Sequence, residues 1–481
     1  MAGLPVTSRG EMPESPVKAE NRRTGTREWL LSRTRVDPAT KWRCPWVEGY
    51  VSHTSIRAGE TLGFFVSTNP AASFDIAIYR LGFYGGAGGR LMANLGPFPG
   101  TVQPDPPVGP KRVRHCAWKA SSELQIPADW LSGVYLGRLT EHRDGIQSYV
   151  VFIVRDDRKA DFLFQCPDHT WQAYNRWPDH FALYDDGASD WYWGGSVQVS
   201  FDRPYGRYCQ ILDAPLSQGS GEFLLWEFPL AFWLEEQGFD VTYISNQDTH
   251  REPDRLLRAK GMLSVGHDEY WTIGMFEAVK KAVDQGLSVA FLSGNTCCGR
   301  ILFDDRLRAF ERTDVFGPPD PAMKFVAMNT LPHRSPWANT LIGAHSTWPV
   351  TGGADWTCQL PDHWLFEGTG MKKGDSVPGL VGWEWHGDPA KDIPGLEIVA
   401  SGPTQSAPGQ PNGGMYTATC HPGPKCNFVF NAATIWWSLG LSTPPGFLRP
   451  SVYTTPCPQG PDPRVARMTR NLLDRMMRGG A

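Results

Sequence analysis

Residues 258–295 read RAKGMLSVGHDEYWTIGMFEAVKKAVDQGLSVAFLSGN, and this stretch decides the fold. GMLSV and LSVAFLSG are apolar runs of strand length, and MFEAVKKAVDQG between them repeats its apolar residues at helical spacing. A strand, a helix of about a dozen residues and another strand make a unit whose two strands lie parallel in one sheet. Outward from it, DFLFQCPD (161–168) and FDVTYIS (239–245) read as further strands and LWEFPLAFWLEEQG (225–238) as a helix. Beyond residue 316 the texture is loop-rich, with strands at LEIVASG and NFVFNAATIWWSLG and a closing amphipathic helix at MTRNLLDRMMRG. Residues 158–481 are therefore expected to form one α/β domain around a mostly parallel sheet.

The residues before it differ in period. WVEGYVSHTSIRAGETLGFFVSTN, FDIAIYRLGFYGGAGGR and GVYLGRLTEHRDGIQSYVVFIVRDD alternate apolar and polar residues between turn signals. This predicts an antiparallel, Ig-like β-sandwich over 41–157, with the Pro-rich GPFPGTVQPDPPVGP (96–110) as a loop within it. Residues 1–40 begin polar, charged and Pro-bearing, and are expected to be a mobile arm.

The totals narrow the function classes. A net charge of −4 over 481 residues gives no electrostatic reason to expect a nucleic acid or an anionic membrane as partner. No run of about 18 apolar residues is present, and the N-terminus lacks the apolar core of a signal peptide, so a soluble cytoplasmic protein is expected. The ten cysteines form no CxxC pair, which argues against a structural zinc site. Twenty tryptophans, many in Gly- and Pro-rich contexts such as WYWGG and GWEWHG, either pack long loops or line a pocket for a small, weakly polar substrate.

In open parallel sheets, ligands bind beyond the carboxyl ends of the strands. Three polar-aromatic stretches fall there: HTWQAYNRW (169–177), GHDEYW (266–271) and SGNTCCGR (293–300). His267 and Glu269 form an H-x-E pair able to bind a metal or act as an acid/base couple. The plainer alternative has Asp268 capping the helix that starts near Thr272, with its neighbours solvated and Tyr270–Trp271 in the core. Asn295 can bond a substrate carbonyl or oxyanion, or be a turn residue. Glu384, in GWEWHG, is either a general base with its pKa raised by apolar surroundings or an ion-paired carboxylate. Cys297 and Cys298 offer a thiol nucleophile with His267 as base, though no nucleophile-elbow pattern surrounds them. Phenol is a poor ligand near neutral pH, but a strongly Lewis-acidic ion accepts phenolate, which brings Tyr174 (in WQAYN) and Tyr205 (in SFDRPYG) into view.

IYRLGFYGGAGGR (78–90), TWQAYNRW (170–177), SFDRPYG (200–206), GHDEYW, FLSGN (291–295), VGWEWHG (381–387) and NAATIWWSLGL (431–441) occur in this order. Together they resemble the large subunit of N,N-dimethylformamidase, in its C-terminal catalytic part, over roughly residues 45–445. The resemblance implies an amidohydrolase with one ferric ion per chain, held by two tyrosines and a glutamate, acting on a small amide. It carries the ligand glutamate onto Glu269, the nearby histidine onto His267, the asparagine onto Asn295 and the catalytic glutamate onto Glu384. The tyrosines fall on Tyr174 and Tyr205, with Tyr135 and Tyr192 as alternatives. It also implies a homo-oligomer, with a small accessory subunit as a further partner. The expected fold class is a glutamine-amidotransferase-like α/β domain behind the β-sandwich. Thr296-Cys297-Cys298 stands where many relatives carry an aromatic residue, which leaves the amide open. Two other readings stand beside this one: a cysteine amidohydrolase on a glutaminase-like scaffold, and a non-catalytic ligand- or partner-binding protein.

Overall fold

A computed structural model describes residues 15–189, 191–207, 214–317, 335–346, 352–382, 384–406, 414–449 and 460–479. The 258–295 stretch folds as expected: strand Ala259–His267, helix Ile273–Asp284, strand Ser288–Gly294. The helix turns Met275, Phe276, Ala278, Val279, Ala282 and Val283 inward, the repeat that marked it as amphipathic. Its N-cap is Thr272, whose hydroxyl accepts from the Met275 N–H at 3.1 Å. Asp268 is not the cap, and has another task described below.

The two strands pair in parallel from Gly261 opposite Ser288 to His267 opposite Gly294. They sit inside a seven-stranded sheet in the spatial order Val241–Ser245, Ala160–Cys166, Ala259–His267, Ser288–Gly294, Phe428–Asn431, Met415–Pro422, Glu397–Pro403. The first five are parallel; the last two run antiparallel and form one edge. Every residue of Ser288–Gly294 and Phe428–Asn431 is buried, as a parallel sheet covered on both faces requires. The covering elements include the helix Phe228–Glu236 and the closing helix Pro463–Met477, which presents Val465, Met468, Leu472, Leu473 and Met476 inward. The expected single helix over 225–238 is two short ones, Phe223–Trp226 and Phe228–Glu236, meeting at Glu227.

Upstream, residues 48–155 form a three-stranded and a five-stranded sheet. Leu62, Phe64 and Val66 of the first share one apolar cluster with Ile76, Ile78, Tyr135, Val150 and Phe152 of the second. The mobile arm expected over 1–40 is corrected from residue 15 onward, since residues 1–14 lie outside the described residues. Helix Pro16–Asn21 places Glu20 against Arg90 at 2.6 Å, and Trp29 is fully buried, edge-on to Phe228. An indole in the main core and a partly buried ion pair hold this segment to the body of the protein. Among the described residues no helix is long and apolar enough to cross a membrane.

Candidate metal centre

Five segments converge where the parallel strands end. The Ala259–His267 strand delivers His267, and Gly266 before it has φ +73°, where a Cβ would meet the Glu227 carboxylate. Glu269 follows on a turn pinned by its own N–H, which donates to Thr170 Oγ1 at 3.0 Å. Asn295 leaves the Ser288–Gly294 strand with φ +48°, and Glu384 approaches on a loop with φ +61°. Gly294 lets that loop pass, since a Cβ there would collide with the Glu384 carbonyl oxygen. Tyr174 ends the helix Asp168–Tyr174, and Tyr184 lies in the segment that follows. Positive φ at two non-glycine residues facing one another marks a backbone held by its surroundings, as functional sites often are.

His267 Nε2 lies 3.1 Å from Glu269 Oε2 and is also paired with Glu384 Oε2. Its Nδ1 faces Glu222 Oε2 at 3.9 Å. The Tyr174 hydroxyl reaches Glu269 Oε2 at 2.9 Å and Glu384 Oε1 at 3.5 Å. The Tyr184 hydroxyl is 3.2 Å from both oxygens of Glu269. Asn295 donates its Nδ2–H to Glu384 Oε2 at 3.3 Å. Ligand atoms of His267, Glu269 and Glu384 all fall within 4.8 Å of one another, and all three residues are buried.

Burial makes this grouping electrostatically demanding. It raises the Glu269 carboxyl above its usual range, with His267 hydrogen bonding pulling the other way and the Glu384 charge adding to the rise. It also pushes both phenols well up, and the Glu269 charge pushes them further. His267 is held well above its ordinary value: burial opposes its charge, but Glu384 and Glu269 outweigh burial. One histidine thus faces two glutamates and two phenols in a desolvated space. A bound cation would relieve that crowding, and hard oxygen donors beside an imidazole suit such an ion.

Of the residues singled out from the sequence, His267, Glu269, Asn295, Glu384 and Tyr174 meet here. Tyr205 does not. Its loop is pinned by the fully buried Arg203, which donates to the carbonyls of Gln172, Asn175, Trp177 and Phe181, and its ring packs edge-on to Trp171 at 6.5 Å. Tyr135 bonds the Leu131 carbonyl within the upstream module, and Tyr192 bonds the Gly195 carbonyl. The second phenol at the centre is Tyr184, in FALYDDG, which no motif marked.

Asp268 proves to be internal scaffolding. Its carboxylate accepts from Ser264 Oγ and Gln165 Nε2 at 2.7 Å and from Asn246 Nδ2 and Trp271 Nε1 at 2.9 Å. Cys297 and Cys298 are buried, and burial, reinforced by nearby carboxylates, drives both thiols well above their ordinary values. That is the reverse of what a thiolate nucleophile requires.

A buried histidine and paired glutamates, flanked by phenols beyond the carboxyl ends of a parallel sheet, define an α/β protein with a candidate metal centre. A family model described as N,N-dimethylformamidase beta subunit-like, C-terminal, matches residues 75–451, and the chain belongs to that family. The family points to a dimethylformamidase-like amide hydrolase. Comparison with curated proteins gives no match.

Proposed function

We propose that the protein is an iron-dependent amidohydrolase that splits the C–N bond of a small N-alkyl formamide, of the N,N-dimethylformamide kind, with water to give formate and the free amine. The observation that carries this reading is the convergence of Tyr174, Tyr184 and Glu269 oxygens beside His267 and Glu384 in one buried site. Tyr174, Tyr184 and Glu269 would hold the ion, three anionic oxygen ligands for a ferric charge. When bound, such an ion polarises an amide carbonyl and acidifies water.

The chain's own groups supply the proton traffic. Glu384, held by Asn295 and His267, takes a proton from the attacking water and returns it to the departing amine nitrogen. Asn295 has a second Nδ2–H beyond the one given to Glu384, which would steady the oxyanion as it forms, while His267 Nε2–H keeps Glu384 oriented. Trp193, Trp226, Ile435 and Trp436 share one buried apolar cluster with Tyr174 and Tyr184, an environment that would exclude bulk water and favour small apolar substituents on nitrogen.

The scaffold belongs to the same proposal: a glutamine-amidotransferase-like α/β domain over 158–481 behind an Ig-like sandwich over 41–157. Its support is the five-stranded parallel run and the apolar cluster shared by the two upstream sheets. A cytoplasmic oligomer with a small accessory subunit fits the beta subunit-like description of the family. The test is metal analysis and a visible spectrum of the purified protein, followed by release of formate from a panel of small formamides. About one iron per chain, a broad visible band and formate release are expected. A colourless protein that takes up no iron defeats the reading.

A further inference from the structure

Arg312, on the strand Ala309–Val315, is 1% exposed and makes no ion pair among the described residues. Its guanidinium lies over the Trp193 ring at 3.9 Å, and Nη2 donates to the carbonyls of Leu183 and Tyr192 at 3.3 and 3.1 Å. Nη1 donates to the Tyr270 hydroxyl at 2.8 Å, and that hydroxyl stands 2.5 Å from the hydroxyl of Tyr184. A buried cation needs a compensating charge, and the negative groups it faces here, across two phenols, belong to the candidate centre.

The chemistry of the donors sets the direction of this chain. A guanidinium can only donate, so the Tyr270 oxygen accepts from Arg312. The hydrogen of Tyr270 then has the Tyr184 oxygen as its partner, and turning it elsewhere would leave a buried donor unmade. Tyr184 therefore accepts from Tyr270 on one side and faces Glu269 on the other.

We propose that Arg312 and Tyr270 are positioning residues that form a one-way hydrogen-bond relay, fixing the orientation and electron density of the Tyr184 oxygen at the centre. The proposal rests on the tyrosinate reading above. Outer partners of this type orient ligands and tune their donor strength. A hydrogen bond given to a ligand oxygen stabilises its lone pairs, so its loss moves a tyrosinate absorption band to lower energy.

The experiment compares the iron-loaded wild type with Tyr270→Phe, Arg312→Gln and the double variant. Tyr270→Phe keeps the ring packing. The relay predicts retained iron, a band moved to longer wavelength in each single variant, and a double variant shifted no further than Tyr270→Phe. Independent packing effects would add. An unmoved band in Tyr270→Phe, or additive shifts, overturns the relay. A wild type without any visible band defeats the tyrosinate reading alone. The relay is then read from thermal unfolding of Arg312→Gln, Tyr184→Phe and their combination: losses smaller than their sum support it, and simple addition overturns it.

Discussion

His267 Nε2 stands 3.1 Å from Glu269 Oε2 although only Asp268 separates the two residues in the chain. Asp268 faces the other way, into its four donors. The alternation of a strand end thus sends two residues to the centre and the one between them to the scaffold.

Loss of a ligand and loss of a base should part company. Glu269→Ala should lose metal and activity together, with affinity for the ion down by about 100-fold or more. Glu384→Gln should keep the ion while turnover falls by about 10²–10⁴-fold. Metal content and formate release measured on the same preparations distinguish them. Full iron in Glu269→Ala would remove it from the ligand set.

Tyr184→Phe should weaken or abolish the visible band and lower the iron content, because its hydroxyl lies 3.2 Å from both Glu269 oxygens. Tyr205→Phe should leave band and iron as they are, its ring being held against Trp171. Absorption spectra of the two proteins at equal concentration decide the matter, and the reverse pattern would restore Tyr205.

Asp268→Ala should destabilise the fold, because it strips the acceptor from four buried donors. Each donor left unmade costs about 1–3 kcal/mol, so a loss at the upper end of single-substitution effects, about 4 kcal/mol, is expected. Denaturant unfolding followed by tryptophan fluorescence gives the value. A change below about 1 kcal/mol would show that the donors find other partners.

Acid should destabilise the protein through His169. This ring is fully buried among Phe201, Phe303 and Phe310, and burial lowers it from 6.5 to about 3 although the Tyr270 carbonyl pulls the other way. The unfolded chain binds the proton first. The stability contributed by the neutral ring is therefore complete above the unfolded value and is lost as pH falls from 6.5 toward about 3. The slope is up to about 1.4 kcal/mol per pH unit. Unfolding measured from pH 7 to pH 4 should lose this slope in His169→Gln; an unchanged acid limb would exclude His169 as its source.

Much of the architecture was legible because period and burial agree. The apolar runs GMLSV and LSVAFLSG are strands buried on both faces, and a helix of matching length joins them. That His267, Glu269 and Asn295 would meet beyond the parallel strand ends was legible for the same reason. Tyr184 and Arg312 were not. Tyr184 sits in an irregular segment whose path is set by carbonyls bonded to Arg203 and Arg312, and no local pattern encodes such long-range bonds. Tyr270 read as core, and it is core, yet its hydroxyl points to the centre. Residue 15 onward read as a mobile arm because composition does not reveal that Trp29 has a socket waiting beside Phe228.

The reach between Tyr174 and Glu384 also orders events in time. The two side chains that meet at 3.5 Å are 210 positions apart. During synthesis the phenols, His267 and Glu269 emerge long before Glu384, and the strand Phe428–Asn431 beside Ser288–Gly294 comes later still. A nascent chain therefore presents Tyr174, Tyr184, His267 and Glu269 before Glu384, and the sheet beneath them is complete only once the strands over 397–431 have emerged. Under the proposed function, metal loading would have to follow the emergence of Glu384, and a chain truncated before residue 384 would bring the other candidate residues together without closing the centre.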